Sequence, residues 1–424
     1  MAHNAPEIGF RDRDHRPHRH GENRRTDRRI DDAMSLATWK INRGIRSLCC
    51  SAANCPPSVP KPCWLRDRDG RGRKAGVDVL GYLLSEIGLG EAARLLVAAF
   101  DAGGISTGLI NVPVPGRMSE PALAERLTTS HSHRTALAIF GATDLGLFGR
   151  RTCRGQVNIA YPYWELPSFP AAWKHLFDGF DAYWAPTRFI QSALTGIQSK
   201  AVTLVPQPIR LPDEPRHQTF TGPLTFYTFF DFDSHASRKN PLGAIEAFRM
   251  AFPSGREDTR LLVKARGGDQ EARRQSGLLA LAGQDRRIEI IDRTLTRSDM
   301  SALMEGSNVF VSLHRSEGFG LGCAEALAHG KAVLATDFGG TRDFIDESTA
   351  YPVAFSTVAV KAHDYPGAQG SHWAEPSLEH AAGIMRRIYD DPGQTEAKTR
   401  AGFIHLKQHH SFEAVGQRIK DALA

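Results

Sequence analysis

The chain of 424 residues is poor in cysteine, and its six cysteines contain no Cys-x-x-Cys pair, which excludes a zinc site built from paired thiolates. Cys49, Cys50, Cys55 and Cys63 are bunched near the start while Cys153 and Cys323 stand alone, so reduced thiols are expected rather than a disulfide framework. No run of about 20 apolar residues occurs, which excludes a membrane-spanning helix. The first residues are too charged and polar for a secretory signal, so the expected location is the cytoplasm or the cytoplasmic face of the inner membrane. A surplus of one charge is also missing from most of the chain. Residues 1–76 hold 17 of the 53 Lys and Arg and 9 of the 47 Asp and Glu, which leaves 36 against 38 beyond them. The formal charge of +6 therefore sits in a basic beginning rich in Arg and His, and the body gives no support for nucleic-acid binding. That basic stretch has charge to offer an anionic lipid surface or a nucleic acid, but its composition reads first as a disordered extension over residues 1–75, or as sequence ahead of a later start such as Met34.

What is present is the composition of a globular protein, 41% hydrophobic and 24% charged, in a length that suits two domains. From about Gly76 onward, short apolar runs alternate with helical patterns, the sequence form of βαβ units and parallel sheets. The first series of candidate strands covers residues 77–82, 108–112, 135–140, 157–161, 182–185 and 202–205, and a proline-bearing stretch then interrupts it. A second series covers 224–230, 260–264, 288–291, 309–313, 332–335 and, more weakly, 351–354. The expected fold class is α/β: two Rossmann-like, doubly wound parallel-sheet domains over 76–205 and 223–402, a linker at 206–222 and a terminal helix within 403–424. Ligands of such sheets bind at the carboxyl ends of the strands, so a cleft between the domains is the expected site.

The stretch from Ser312 to Gly340, SLHRSEGFGLGCAEALAHGKAVLATDFGG, places a carboxylate, a glycine-rich turn and a helix start directly after a candidate strand. Gly318, Phe319, Gly320, Leu321 and Gly322 form a turn whose backbone can approach a ligand, and the helix that follows offers unpaired amides and a positive dipole end to a diphosphate. Glu317 and Glu325 would repel phosphate, but ionised carboxylates accept hydrogen bonds from sugar hydroxyls at about 1.5–3 kcal/mol each. They are eight positions apart, roughly 12 Å at about 1.5 Å per helical residue. This pattern resembles the signature of glycosyltransferase family 4, retaining enzymes of the GT-B fold, and LHRSEGFGL is similar to bacterial members that build surface polysaccharides. The resemblance implies that Glu317 faces the donor sugar, that the next amides meet the diphosphate, and that Glu325 holds the ribose. It also implies that the last helical segment crosses back onto the first domain.

Further motifs follow the same logic. Gly88 and Gly90 open a helix after the first strand; as a GxGxxA pattern they would suit a dinucleotide, but the next strand ends without the acidic residue that an NAD-type oxidoreductase uses on a ribose. In the family resembled, that glycine turn borders the donor phosphates. Arg238 and Lys239 precede a helix that Pro241 can start, and two cations there would stabilise a leaving diphosphate, although Ser234 stands where the family commonly carries an arginine. Asp231 and Asp233 form an Asp-x-Asp pair of the kind that holds a divalent metal in other transferases; beside two cations, a metal-free site is the expectation. Trp164, Glu165 and Trp173 join aromatic faces to a carboxylate and suit either an acceptor sugar or core packing, and Asp144, His131 and His133 are lesser candidates for sugar contacts. Arg293, Thr294 and Leu295 lie where the base of the nucleotide is expected. Together these imply transfer of a hexose, mannose-like or other, from a GDP- or UDP-linked donor to a glycan or lipid-linked acceptor, with no cofactor beyond the donor. A nucleotide-sugar-binding partner without catalysis is the alternative from another class.

Overall fold

The computed structural model describes residues 72–114, 121–149, 151–152, 155–214, 222–255, 257–267 and 277–424. The N-terminal extension up to residue 71, its four cysteines and Cys153 lie outside the described residues.

Two six-stranded sheets organise the body, and each is parallel throughout. The first contains β1 (Lys74–Gly81), β2 (Thr107–Asn111), β3 (His133–Gly141), β4 (Val157–Tyr163), β5 (Ala182–Ala185) and β6 (Val202–Leu204), in the order β2-β1-β3-β4-β5-β6. The second contains β7 (Leu224–Asp231), β8 (Thr259–Arg266), β9 (Ile288–Asp292), β10 (Val309–Ser312), β11 (Ala332–Thr336) and β12 (Tyr351–Val353), in the order β12-β11-β10-β7-β8-β9. All twelve apolar runs become strands because a parallel sheet covered on both faces demands continuous burial. The helices are α1 (Gly88–Ala102), α2 (Leu145–Gly149), α3 (Arg188–Ile197), α4 (Ala236–Lys239), α5 (Pro241–Ala251), α6 (Leu278–Ala282), α7 (Arg297–Glu305), α8 (Leu321–Ala328), α9 (Leu378–Asp390), α10 (Gln394–His410) and α11 (Phe412–Leu423).

In each sheet the chain leaves its first strand in one direction and later returns to the other side, which creates a switch point between β1 and β3 and another between β10 and β7. Loops leaving a switch point diverge and open a crevice at the carboxyl ends, and this is where the expected cleft falls.

The end of the chain differs from expectation in one respect. The boundary at 402/403 falls inside α10, whose Leu406 is buried with Ala324, Leu327 and Phe344 of the second domain, so that domain continues into this helix. The crossing segment is α11: its Val415 and Ile419 are buried among Leu96, Phe100 and Leu137 of the first domain. His410, at the turn between the two helices, accepts Ile209 N–H on its carbonyl at 2.7 Å and bonds the Gln207 carbonyl through Nδ1 at 2.8 Å, which ties the interdomain linker to the crossover. Burial holds the His410 ring down at about 4.

An unanticipated element is an antiparallel hairpin of β13 (Phe355–Ala359) and β14 (His372–Pro376) after the second sheet. The hairpin reaches the other domain: Tyr365 and Ala368 of the segment joining its strands and Trp373 of β14 are buried in the same cluster as Trp164, Phe169 and Phe177. The hairpin is therefore held by a long-range contact rather than by its own apolar content.

Candidate active site

Three loops converge where the carboxyl ends of the two sheets meet. From the second domain come the loop after β7, carrying Arg238 and Lys239 on α4, and the loop from β10 to α8, carrying Glu317. From the first comes the segment after β4, with Trp164 and Glu165. Thr187 Oγ1 donates to Gly318 O at 2.9 Å, and Ser316 Oγ donates to Glu165 O, so the glycine-rich turn is seated against the first domain.

Backbone shape fixes the turn. Gly320, the N-cap of α8, has φ 89°, a left-handed conformation that costs a side chain strain. A Cβ on Gly340 would lie 1.9 Å from Gly318 O, so two loops of the second domain approach more closely than any other residue permits. The α4 helix is enclosed by His235 (φ 60°) and Asn240 (φ 50°), both left-handed without being glycine. Such strain persists only where surroundings impose it. Here Asn240 accepts Gly243 N–H at 3.3 Å and caps α5.

At the centre, Glu317 Oε1 faces Arg238 Nη1 at 3.1 Å and is also paired with the Lys239 amine. Burial alone would raise the Glu317 carboxyl; the charges of Arg238 and Lys239 outweigh it and bring it down to about 2. The ion pairs thus bridge the switch point between β7 and β10. Arg238 is 4% exposed and also donates to Ser316 O at 2.9 Å, with Glu165 Oε1 at 3.8 Å. Tyr365 from the hairpin donates to Glu165 Oε2, and its ring lies 4.9 Å from that of His235. Burial, then the neighbouring Arg238, depresses the His235 imidazole. Arg315 closes the frame, bidentate to Glu375 of β14 at 2.7 and 2.9 Å and donating to Ser237 O at 2.6 Å. Neither Arg315 nor Tyr365 was singled out from the sequence; the Arg315 position inside LHRSEGFGL was the available signal.

Several expectations need correction. The Arg238 guanidinium is not open to a diphosphate, because it is buried against Glu317, Glu165 and Ser316. Trp164 is fully buried, stacked on Phe169 at 4.9 Å and edge-on to Trp173 and Tyr365, so no face is left for a sugar. Phe319 is 4% exposed and packs on Phe344 and His410, which leaves only its backbone to a ligand. His133 begins β3 at the amino end of the sheet, remote from the cleft, and with His131 serves the buried Asp78, at 2.7 and 3.5 Å. Burial would raise Asp78, but bonds from His131, His133 and the His133 amide bring it to about 2.

The remaining candidates lie at carboxyl ends. Asp144 follows β3, accepts the Tyr82 hydroxyl across the first switch point, and has its carboxyl raised by burial. Asp231 accepts Arg266 at 3.0 and 3.1 Å and the Asp233 amide at 2.9 Å, so this carboxylate of the Asp-x-Asp pair is engaged by an arginine and a turn. Among the described residues, no group of three or more His, Cys, Asp and Glu is placed to hold a metal. Glu325 lies partly buried on α8, and its charge is the second cause, after burial, that raises the Tyr227 hydroxyl. Leu321 opens α8 and Gly322 follows it, so their amides lack intrahelical partners. Arg293 and Thr294 are exposed and Leu295 is partly so, just past β9. The end of β2, where a dinucleotide site wants a carboxylate, is Asn111, which accepts Leu84 N–H at 3.0 Å.

Gly88 and Gly90 separate into two roles. A Cβ on Gly90 would come within 2.2 Å of Ser85 O, whereas Gly88 is exposed with nothing within 4 Å. Gly90→Ala should therefore lower stability by about 1–3 kcal/mol, and Gly88→Ala should leave the denaturation midpoint unchanged. Equal midpoints for both variants in a urea titration would contradict the packing described.

Residues 230–360 match the family model described as Glycosyl transferases group 1. No curated protein matches the chain. Among solved structures, HepE of Anabaena, in complex with UDP and glucose, superposes with TM-score 0.60 at 14% identity over 82% of this chain and 99% of that one. Sucrose-phosphate synthase of Thermosynechococcus elongatus gives 0.59 at 16% identity, covering 82% and 98%. A TarM variant of S. aureus, in complex with fondaparinux, alpha-GlcNAc-glycerol and UDP, gives 0.51 at 11% identity over 68% of this chain, which spans about half (54%) of that protein. At such identities the likeness concerns architecture, and it agrees with the two facing doubly wound sheets and the crossing last helix: the chain has the GT-B fold.

Proposed function

We propose that this protein is a glycosyltransferase that takes a sugar from a nucleotide diphosphate donor and passes it, with retention of anomeric configuration, to a hydroxyl of a glycan or lipid-linked acceptor. The observation that carries the reading is Glu317, a carboxylate held ionised inside the cleft by two cations at the start of a glycine-capped helix. An acceptor-only group in that place suits sugar hydroxyls, and the α8 amides beside it suit the diphosphate. The match of residues 230–360 to group 1 glycosyl transferases and the UDP complexes of the HepE and TarM structures support the same donor class.

Mechanistically, Glu317 orients the transferred sugar while the Lys239 amine and the α8 amides receive charge as the bond to the diphosphate breaks. Charge that develops on a leaving group is stabilised most by dipoles already in place. No carboxylate stands free as a covalent nucleophile in the Glu317 cluster, where Glu165 is engaged by Tyr365 and faces Arg238. A front-side displacement fits, in which the acceptor attacks on the face being vacated and the leaving phosphate takes its proton. Glu325 is assigned to the ribose and residues 293–295 to the base. The donor is a GDP- or UDP-linked hexose, and a surface polysaccharide is the product class inferred from the Leu313 to Leu321 motif. No helix among the described residues is long and apolar enough to cross a membrane, so a lipid-linked acceptor would be met at a membrane surface.

The test is release of nucleotide diphosphate from a panel of UDP- and GDP-sugars, with and without glycan acceptors. Acceptor-dependent release that disappears in Lys239→Ala is the expected result. Tight donor binding with no release under any acceptor would instead favour a non-catalytic binding partner.

A further inference from the structure

The cations around Glu317 leave little positive charge for a diphosphate. Arg238 and Lys239 both face Glu317, Arg238 also faces Glu165, and Arg266 faces Asp231. A nucleoside diphosphate brings more negative charge than the α8 amides and a Lys239 shared with Glu317 can balance, so a further cation is wanted at this end of the second sheet.

Lys264 has the required placement. It lies near the carboxyl end of β8, opposite Phe229 of β7 and Ile291 of β9 in register. Because side chains alternate along a strand, it shares the face of Leu262, which packs with Phe310, Cys323 and Ala324 beneath α8. On that same face a Cβ added to Gly322 would come 2.6 Å from the Phe229 ring, so the first turn of α8 rests on Phe229. Lys264 is one strand further along, about 5 Å away by ordinary strand spacing, well within reach of a lysine side chain.

The surroundings of Lys264 set it apart. The residue is 8% exposed, yet among the described residues no hydrogen bond or ion pair engages its amine. Burial, then the nearby charge of Arg266, pulls its pKa down, and the charge of Asp231, itself bonded to Arg266, opposes this only in part. A buried, unpaired cation is disfavoured in a folded protein unless something completes it. At a helix start that itself attracts anions, the completing group is a phosphate.

We propose that Lys264 binds the diphosphate of the nucleotide together with the α8 amides, on the side toward the base, while Lys239 serves the sugar side through Glu317. This inference rests on the reading of the cleft as a nucleotide-sugar site.

The experiment is calorimetric titration of UDP, GDP, uridine and guanosine into wild type, Lys264→Met and Lys264→Arg, together with the thermal midpoint of each free protein. Methionine keeps the apolar stem and removes the charge. The expected result is at least tenfold weaker binding of the preferred nucleoside diphosphate to Lys264→Met, unchanged binding of the nucleoside, and near wild-type affinity in Lys264→Arg. The midpoint of free Lys264→Met should equal or exceed that of wild type, since an uncompensated charge has been removed. Unchanged diphosphate affinity in Lys264→Met, or a lowered midpoint marking a structural role, overturns the assignment to Lys264 and leaves the nucleotide-sugar reading intact. Wild type that binds no nucleoside diphosphate overturns both.

Discussion

Glu317→Gln should reduce sugar transfer about 10²–10³-fold in kcat, the scale seen when one preorganised polar group is removed from a transition state, while the protein remains folded. Glutamine keeps the shape and can still accept from Arg238, so the loop that Ser316 and Gly318 hold against the first domain should persist. What disappears is the charge. Without it, sugar hydroxyls lose a charge-assisted acceptor, worth about 1.5–3 kcal/mol, and the Lys239 amine loses the partner that fixes its position. An effect confined to KM would mean that Glu317 contributes only uniform binding; activity within threefold of wild type at an unchanged unfolding midpoint would remove Glu317 from the mechanism.

The second sheet and its signature loop were legible because their signals are local. Buried parallel strands are short apolar runs, and a glycine turn before a helix identifies itself. Roles inside the site were less legible. Arg238 and Lys239 are adjacent in sequence, and about 100° separates neighbours around a helix, so one side chain turns inward to Glu317 and Glu165 while the other stays at the cleft. No spacing rule decides which of two cations is the inward one. Trp164 presented the same difficulty: ring chemistry suits a sugar face and a core equally, and only the arrival of Phe169, Trp173 and Tyr365 settles the question. The hairpin escaped notice since β13 is mostly exposed and half polar, and what holds it is a contact with a residue 200 positions earlier. His133 shows the converse. It stands ahead of an apolar run, at the amino end of a parallel strand, and that order alone argues for a place away from the cleft.

Arg238→Met should cost about 3–5 kcal/mol of stability near neutral pH, the range for removing one member of a buried ion pair. The guanidinium is the shared neighbour of two carboxylates and also serves the Ser316 carbonyl, so its loss leaves Glu317 with Lys239 alone and leaves Glu165 without a cation. The pH dependence gives this prediction its sign. In wild type the Glu317 carboxyl is at about 2 against 4.5 for the ordinary value, so its stabilising contribution is fully present above about 4.5 and is lost as pH falls through about 2. Removing Arg238 takes away the larger of the two opposing charges, the carboxyl rises, and the contribution fades at higher pH. The gap between variant and wild type should therefore narrow on acidification, as measured by urea denaturation at neutral pH and near pH 3. Arg238→Met combined with Glu317→Gln should recover part of the loss, because a neutral amide no longer needs the cation. A cost below 1 kcal/mol, or a gap that widens toward acid, would mean that Arg238 is not what keeps Glu317 ionised, and the lysine alone would have to hold the carboxylate on which transfer depends.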